Sequence, residues 1–136
     1  MNLEADYELE FKVRDYELDL QGIVNNSVYQ NYLEHARHEY LLTQDIDFAA
    51  LHNEGIDLVV ARVEIDYKAS LKSQDSFVVK LVMRKEGNVR VVIHQWIERL
   101  PDHQRMIEAK TTCVCLKNGR PIRPEIAGWK ITENNV

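Results

Sequence analysis

The stretch Asp19–Leu41, DLQGIVNNSVYQNYLEHARHEYL, places one carboxylate, one glycine and two adjacent asparagines ahead of a long amphipathic pattern. From Val28 to about Thr43, Tyr29, Tyr32, Leu33, Ala36, Tyr40 and Leu41 recur at three- and four-residue steps, which gathers them on one stripe of a helix. Gln30, Asn31, Glu34 and His38 fall opposite. Gly22 breaks the chain before the helix, and Asn25, Asn26 and Ser27 can each cap it, Ser27 with Gln30 also fitting the S-x-x-Q capping box. A stripe of this kind needs a sheet to cover it.

The flanking sequence supplies one. Upstream, Tyr7, Leu9, Phe11 and Val13 alternate with Glu8, Glu10, Lys12 and Arg14, the pattern of a half-buried strand. Downstream, DFAALHNEG reads as a short helical turn ended by Gly55. Val59, Ala61, Val63, Ile65 and Tyr67 then share one face of a strand, Phe77 to Met83 repeat the alternation, and two further strands run over about Val89–Arg99 and Gln104–Lys117. The separators SLKSQD, KEGN, LPDHQ and KNGR are polar and of hairpin length, with Asn118-Gly119 suited to a type I′ turn, so the last four strands are expected to form an antiparallel meander. The order is strand, helix, four strands. It predicts an α+β domain over 1–136 in which a curled antiparallel sheet of about five strands wraps one long central helix.

Composition narrows the functional classes. The 136 residues match one ordinary domain with its own core, and 45% hydrophobic with 29% charged residues is the balance of a globular protein. A net charge of −5 with scattered Lys and Arg disfavours nucleic acid as a partner. No apolar run approaches the length of a membrane span, and the acidic start MNLEADYELEF lacks the basic region of a signal peptide, so a cytoplasmic protein is expected. Cys113 and Cys115 are two apart in a strand and read as small core residues, and His35 and His38 lack a third ligand, so no metal is expected. Serine-elbow, P-loop, dinucleotide and zinc-helix motifs are absent.

What remains is Asp19 itself. The first N–H groups of a helix have no partner within it, and with the helix dipole they suit a carbonyl oxygen that gains negative charge. A carboxylate beside them can act as nucleophile or general base. Against this stands the common use of Asp before Gly in turns, and on spacing alone the turn is the stronger reading.

The pattern Asp19, Gly22, Ile23, Val24, Asn25, Asn26, Tyr29, then Glu34 and Arg37 on the helix, resembles the hot-dog-fold acyl-CoA thioesterases of the 4-hydroxybenzoyl-CoA thioesterase family. The likeness extends through ARVEIDYKASLKSQD, with Tyr67 and Asp75, to EAKTTCVCLKNGRPIRP, with Pro121 and Pro124. Where some relatives carry a His, this chain has Asn26, and where others do it has Ile23. The turn after Tyr67 lacks the usual Pro.

The resemblance implies hydrolysis of acyl-CoA to free acid and CoA without a separate cofactor. Asp19 would be the nucleophile or general base, the backbone N–H of Asn26 would polarise the thioester carbonyl, and Glu34 is the reserve acid. Gly22, Ile23, Val24 and Tyr29 would line the substrate, with Tyr29 also fitting the core. Glu34 and Arg37, one turn apart, fit a local pair. Among Arg84, Lys85, Arg90, Arg120 and Arg123, Arg90 is the candidate contact for CoA phosphates. An acyl-carrier-protein thioester is the close variant, since Val24-Asn25-Asn26 resembles the plant enzymes of that type, and a non-catalytic acyl-CoA-binding module is the alternative. A dehydratase would want a His near the helix start, which is missing. The resemblance also implies a homodimer or a dimer of dimers, with shared sites.

Overall fold

The computed structural model describes residues 4–129 and Ile131. Strand β1 (Tyr7–Lys12) leads through a 3₁₀ turn at Asp15–Glu17 to helix α1 (Asn26–Thr43) and the short α2 (Phe48–His52). Strands β2 (Ile56–Tyr67), β3 (Ser76–Glu86), β4 (Arg90–Leu100) and β5 (Gln104–Lys117) follow, then the two-residue β6 (Arg120–Pro121) and a 3₁₀ turn at Pro124–Ala127. The sheet order is β1-β3-β4-β5-β2, all antiparallel, with β6 paired to β5. It curls around α1, the hot-dog arrangement.

The helix stripe lies where its periodicity places it. Tyr29, Tyr32, Leu33, Ala36 and Leu41 are buried, against Phe77, Val79 and Leu81 of β3, Val91, Ile93 and Ile97 of β4, and Ile107 and Cys113 of β5. Aromatic contacts fasten one flank: the Phe77 ring stacks on Phe11 at 5.2 Å and meets Tyr32 at 4.7 Å. Both cysteines are free and buried, as small core residues should be. Asn118 (φ 50°) and Gly119 (φ 82°) are both left-handed, the backbone a type I′ turn needs.

Two expectations are corrected. The last four strands are not one meander: β3, β4 and β5 are, but β2 lies beyond β5, and the chain crosses from there to β3, next to β1. The segment Lys68–Asp75 is of hairpin length, yet it passes under the start of α1. Leu71 is buried there, its N–H donating to the Tyr29 hydroxyl and its carbonyl accepting from Val24 N–H. The second correction is in β2, where a bulge at Ala61 between Val60 and Arg62 reverses the alternation. Leu58 and Val60, opposite Cys115 and Cys113, therefore join Val63, Ile65 and Tyr67 on the inner face in place of Val59 and Ala61.

Candidate active site

The Asp19 segment is a miniature hairpin. Leu18 bridges Val24, the Asp19 N–H donates to the Ile23 carbonyl at 2.9 Å, and Gly22 at φ +79° donates to the Asp19 carbonyl at 3.1 Å. That φ is one that side-chain-bearing residues rarely adopt. Asp19 Oδ1 accepts from Gln21 N–H at 2.8 Å and, more weakly, from Ile23 N–H at 3.4 Å. Oδ2 accepts no hydrogen bond from the described residues. The turn use of Asp19 thus engages one oxygen and orients the other.

The hairpin is anchored to the crossover, with Ile23 bridging Lys72 and Val24 N–H donating to Leu71 O at 2.9 Å. Helix α1 starts immediately after it. Asn25 is the N-cap, its side chain accepting from Ser27 N–H at 3.0 Å, so of the three candidates Asn25 does the capping. Asn25 N–H donates to Glu17 O at 3.1 Å, whereas Asn26 N–H has no acceptor among the described residues. A half-buried carboxylate and an unpaired helix-start N–H therefore stand at the two ends of one short, braced segment.

Tyr29 supports this geometry from beneath. It is 1% exposed, meets Tyr67 edge-on at 5.9 Å, and its hydroxyl accepts the Leu71 N–H at 2.8 Å. Burial pushes the phenol pKa up, the Leu71 bond opposes this, and Asp75, Tyr67 and Asp19 add to the rise. Tyr29 and the equally buried Val24 are packing groups here, while Gly22 and Ile23 reach the surface. Sequence reasoning missed a second buried acid nearby: Glu17, 7% exposed, accepts from Arg14 N–H and Tyr32 Oη, each at 2.7 Å, through Oε1. Burial and this bond raise the Tyr32 phenol pKa well above its ordinary value.

Glu34 and Arg37 do not pair. Glu34 is exposed and faces His38 at 3.7 Å, while His35 faces Glu39. Arg37 turns inward instead, its Nη1 donating to Gln95 Oε1 at 2.9 Å, and Gln95 Nε2 donates to the Leu33 carbonyl at 2.9 Å. Burial pulls the Arg37 pKa down. The signal for Gln95 was present: it is the one polar residue in the inner-facing series Val91, Ile93, Gln95, Ile97. Burial also raises both thiols, Cys115 to about 11, so neither is a ready nucleophile.

Arg90 is not brought to Asp19 within the chain. The Asp19 hairpin packs at the Tyr67–Ile107–Ile97 end of the sheet, and Arg90 starts β4 at the other end, roughly 23 Å of strand away. Arg90 is thus no direct neighbour of Asp19, and as a contact for CoA phosphates, which lie a pantetheine arm away from the thioester, it stays an expectation. Between α1 and β2 lies a cleft of about 500 Å³, lined by Gln30, Glu34, Arg37 and His38 on the helix and by apolar side chains of α2 and β2. Its helix wall starts one turn beyond Asn26.

The chain belongs to a recognised class: residues 13–129 match the thioesterase-like superfamily, and the chain is a member of it. It is 42% identical over 118 residues to the acyl-acyl carrier protein thioesterase ATL2, chloroplastic, of Arabidopsis thaliana, covering 86% of this chain and 63% of that protein. It is 30% identical over 108 residues to the long-chain acyl-CoA thioesterase FadM of Escherichia coli, covering 79% of this chain and 80% of that one. The fold matches Slr0204, a 1,4-dihydroxy-2-naphthoyl-CoA thioesterase from Synechocystis, with a TM-score of 0.84, 18% identity and coverage of 90% and 91%. The chain spans somewhat under two thirds of the plant relative's length.

Proposed function

We propose that the chain hydrolyses acyl thioesters, with Asp19 as the group that starts the reaction and Asn26 N–H as a donor to the thioester oxygen. The observation that carries this reading is the division of labour at Asp19: Oδ1 is held by Gln21 and Ile23 while Oδ2 is left open, close in the chain to the unpaired N–H of Asn26. As general base, Asp19 takes a proton from water, the hydroxide adds to the thioester carbon, and the C–S bond breaks as the thiolate leaves and is protonated. As nucleophile, it forms an acyl anhydride with release of thiolate, and water then cleaves the anhydride. Both routes place negative charge on the carbonyl oxygen, where the helix-start N–H and dipole act. Gly22 and Ile23 flank the reacting carbonyl, Val24 and Tyr29 hold the hairpin, and Glu34 is the reserve acid at the cleft.

The active unit is a homodimer or a dimer of dimers. Among the described residues strand β2 has one unpaired edge, and its Val59, Val60, Val63 and Tyr67 are 41–46% exposed, an apolar surface of the kind proteins cover. Coenzyme A and acyl carrier protein are both candidate carriers. The carrier-protein reading is favoured by the 42% identity to a relative of that name, and the CoA reading by FadM. The deciding experiment is thiol release by the purified chain from matched acyl-CoA and acyl-carrier-protein substrates. Release from either supports hydrolysis and identifies the carrier, whereas binding without release across a broad panel assigns the chain as an acyl-binding module.

A further inference from the structure

The cleft between α1 and β2, whose helix wall starts one turn beyond Asn26, is lined by a cation that the hydrolytic reading does not use. Arg37 has no carboxylate partner among the described residues, and of the five N–H donors of its guanidinium one is spent on Gln95. Gln95 is 1% exposed and tied to Leu33 O, so this contact fixes the guanidinium from behind. Arg37 lines the cleft together with Leu41, Ile46 and Leu58, and with Val60 and Val63 of the β2 edge that the proposed dimer covers, so a partner subunit would close the outer side of this cleft. Gln30, Glu34, His38 and Asp47 add polar groups to the lining, yet among the described residues none of them accepts from the guanidinium, and a half-buried cation with free donors favours a further acceptor. A second polar group is left over on the same sheet face: Thr111, behind the lining and paired across the sheet with Val63 and Ile93, which both line the cleft, has a buried hydroxyl with no partner among the described residues.

Resting on the thioesterase reading, we infer that Arg37 is a specificity residue, donating to a hydroxyl or carbonyl oxygen carried on the acyl chain remote from the thioester, in the cleft between α1 and β2. Asn26, Gln30, Glu34 and His38 follow one another at four-residue steps, so the helix face bearing the free N–H continues along the cleft rim. Arg37 lies about 16 Å along the axis from Asn26 at 1.5 Å per residue. Long helical side chains lean back by about one turn, which leaves roughly 11 Å. An extended chain covers about 3.5 Å per three bonds, so the oxygen sits about nine bonds from the thioester carbon. A neutral oxygen fits better than a carboxylate because Glu34 and Asp47 already stand at the cleft.

The test is equilibrium binding of decanoic acid, its ω-hydroxy derivative and the matching dicarboxylic acid to the full chain, to R37M and to R37Q, with thiol release from the corresponding CoA esters measured separately. The wild type should bind the hydroxy acid about 10-fold more tightly than the plain acid, as a hydrogen bond to a charged group allows, and the diacid less well than the hydroxy acid. Both variants should lose that preference while still binding decanoic acid. R37Q keeps an amide in place of the guanidinium should R37M fail to fold. Equal weakening of all three ligands in the variants, or a wild type that prefers the plain acid, overturns the inference. The free acids need no turnover, so an Arg37-dependent preference without thiol release would refute hydrolysis alone, and release with an Arg37-independent ratio would refute only the specificity.

Discussion

The Tyr29 hydroxyl accepts the backbone N–H of Leu71 at 2.8 Å, joining the first turn of α1 to the crossover that braces the Asp19 hairpin. This bond links the core to the candidate site. Tyr29→Phe removes it and leaves a buried N–H unsatisfied, a cost of about 1–3 kcal/mol. Urea unfolding should show that loss with an unchanged slope, and thiol release should fall through kcat as the hairpin loses its support.

Gln95→Met is predicted to be more damaging than its exposure-neutral volume suggests. The change frees the Leu33 carbonyl and deprives half-buried Arg37 of its acceptor. About 1–3 kcal/mol of stability should be lost in denaturant melts, and Gln95→Glu, which keeps an acceptor for Arg37, should recover part of it.

Acid sensitivity is predicted at Glu98. Burial pushes its carboxyl pKa up, but hydrogen bonds from His103, Trp96 and Lys80 outweigh this and hold it below the ordinary glutamate value. A lowered folded pKa means that the folded state binds the proton less well, so the contribution is full above the unfolded value of about 4.3 and is lost as pH falls through the folded one. Glu98→Gln should lower the melting temperature near neutrality and narrow the difference from wild type as pH drops below about 4. A constant difference across that range would show that the carboxylate charge is not the source.

Assembly through β2 predicts a dimer, or a multiple of one, in light scattering. Lysine at both Val59 and Val63 places like charges on the open edge and should shift the mass toward one chain. A wild type that stays monomeric at every concentration would exclude a shared site.

Much of this architecture could be read from residue order, because local rules governed it. The helix stripe from Tyr29 to Leu41, the alternation of β1 and the Asn118-Gly119 turn each express a period or a backbone preference within a few residues. The departures came from contacts distant in sequence. Lys68–Asp75 has the length of a hairpin, and only the docking of Leu71 under Tyr29 makes it a crossover. Ala61 looks like any strand residue until two residues of β2 must oppose one of β5. Arg37 had a carboxylate one turn away, yet its guanidinium is held by a glutamine from the sheet. At the site itself, Asp19 was legible both as a turn residue and as a reactive acid. Its two oxygens allow both uses.

The most direct test is therefore thiol release by Asp19→Asn, which keeps the side-chain oxygen that can accept from Gln21 and removes the charge. The account predicts that kcat/KM falls about 10²–10⁴-fold while the melting temperature and acyl binding stay near wild type. Turnover equal to wild type in a folded Asp19→Asn chain would contradict it and move the chemistry to Glu34.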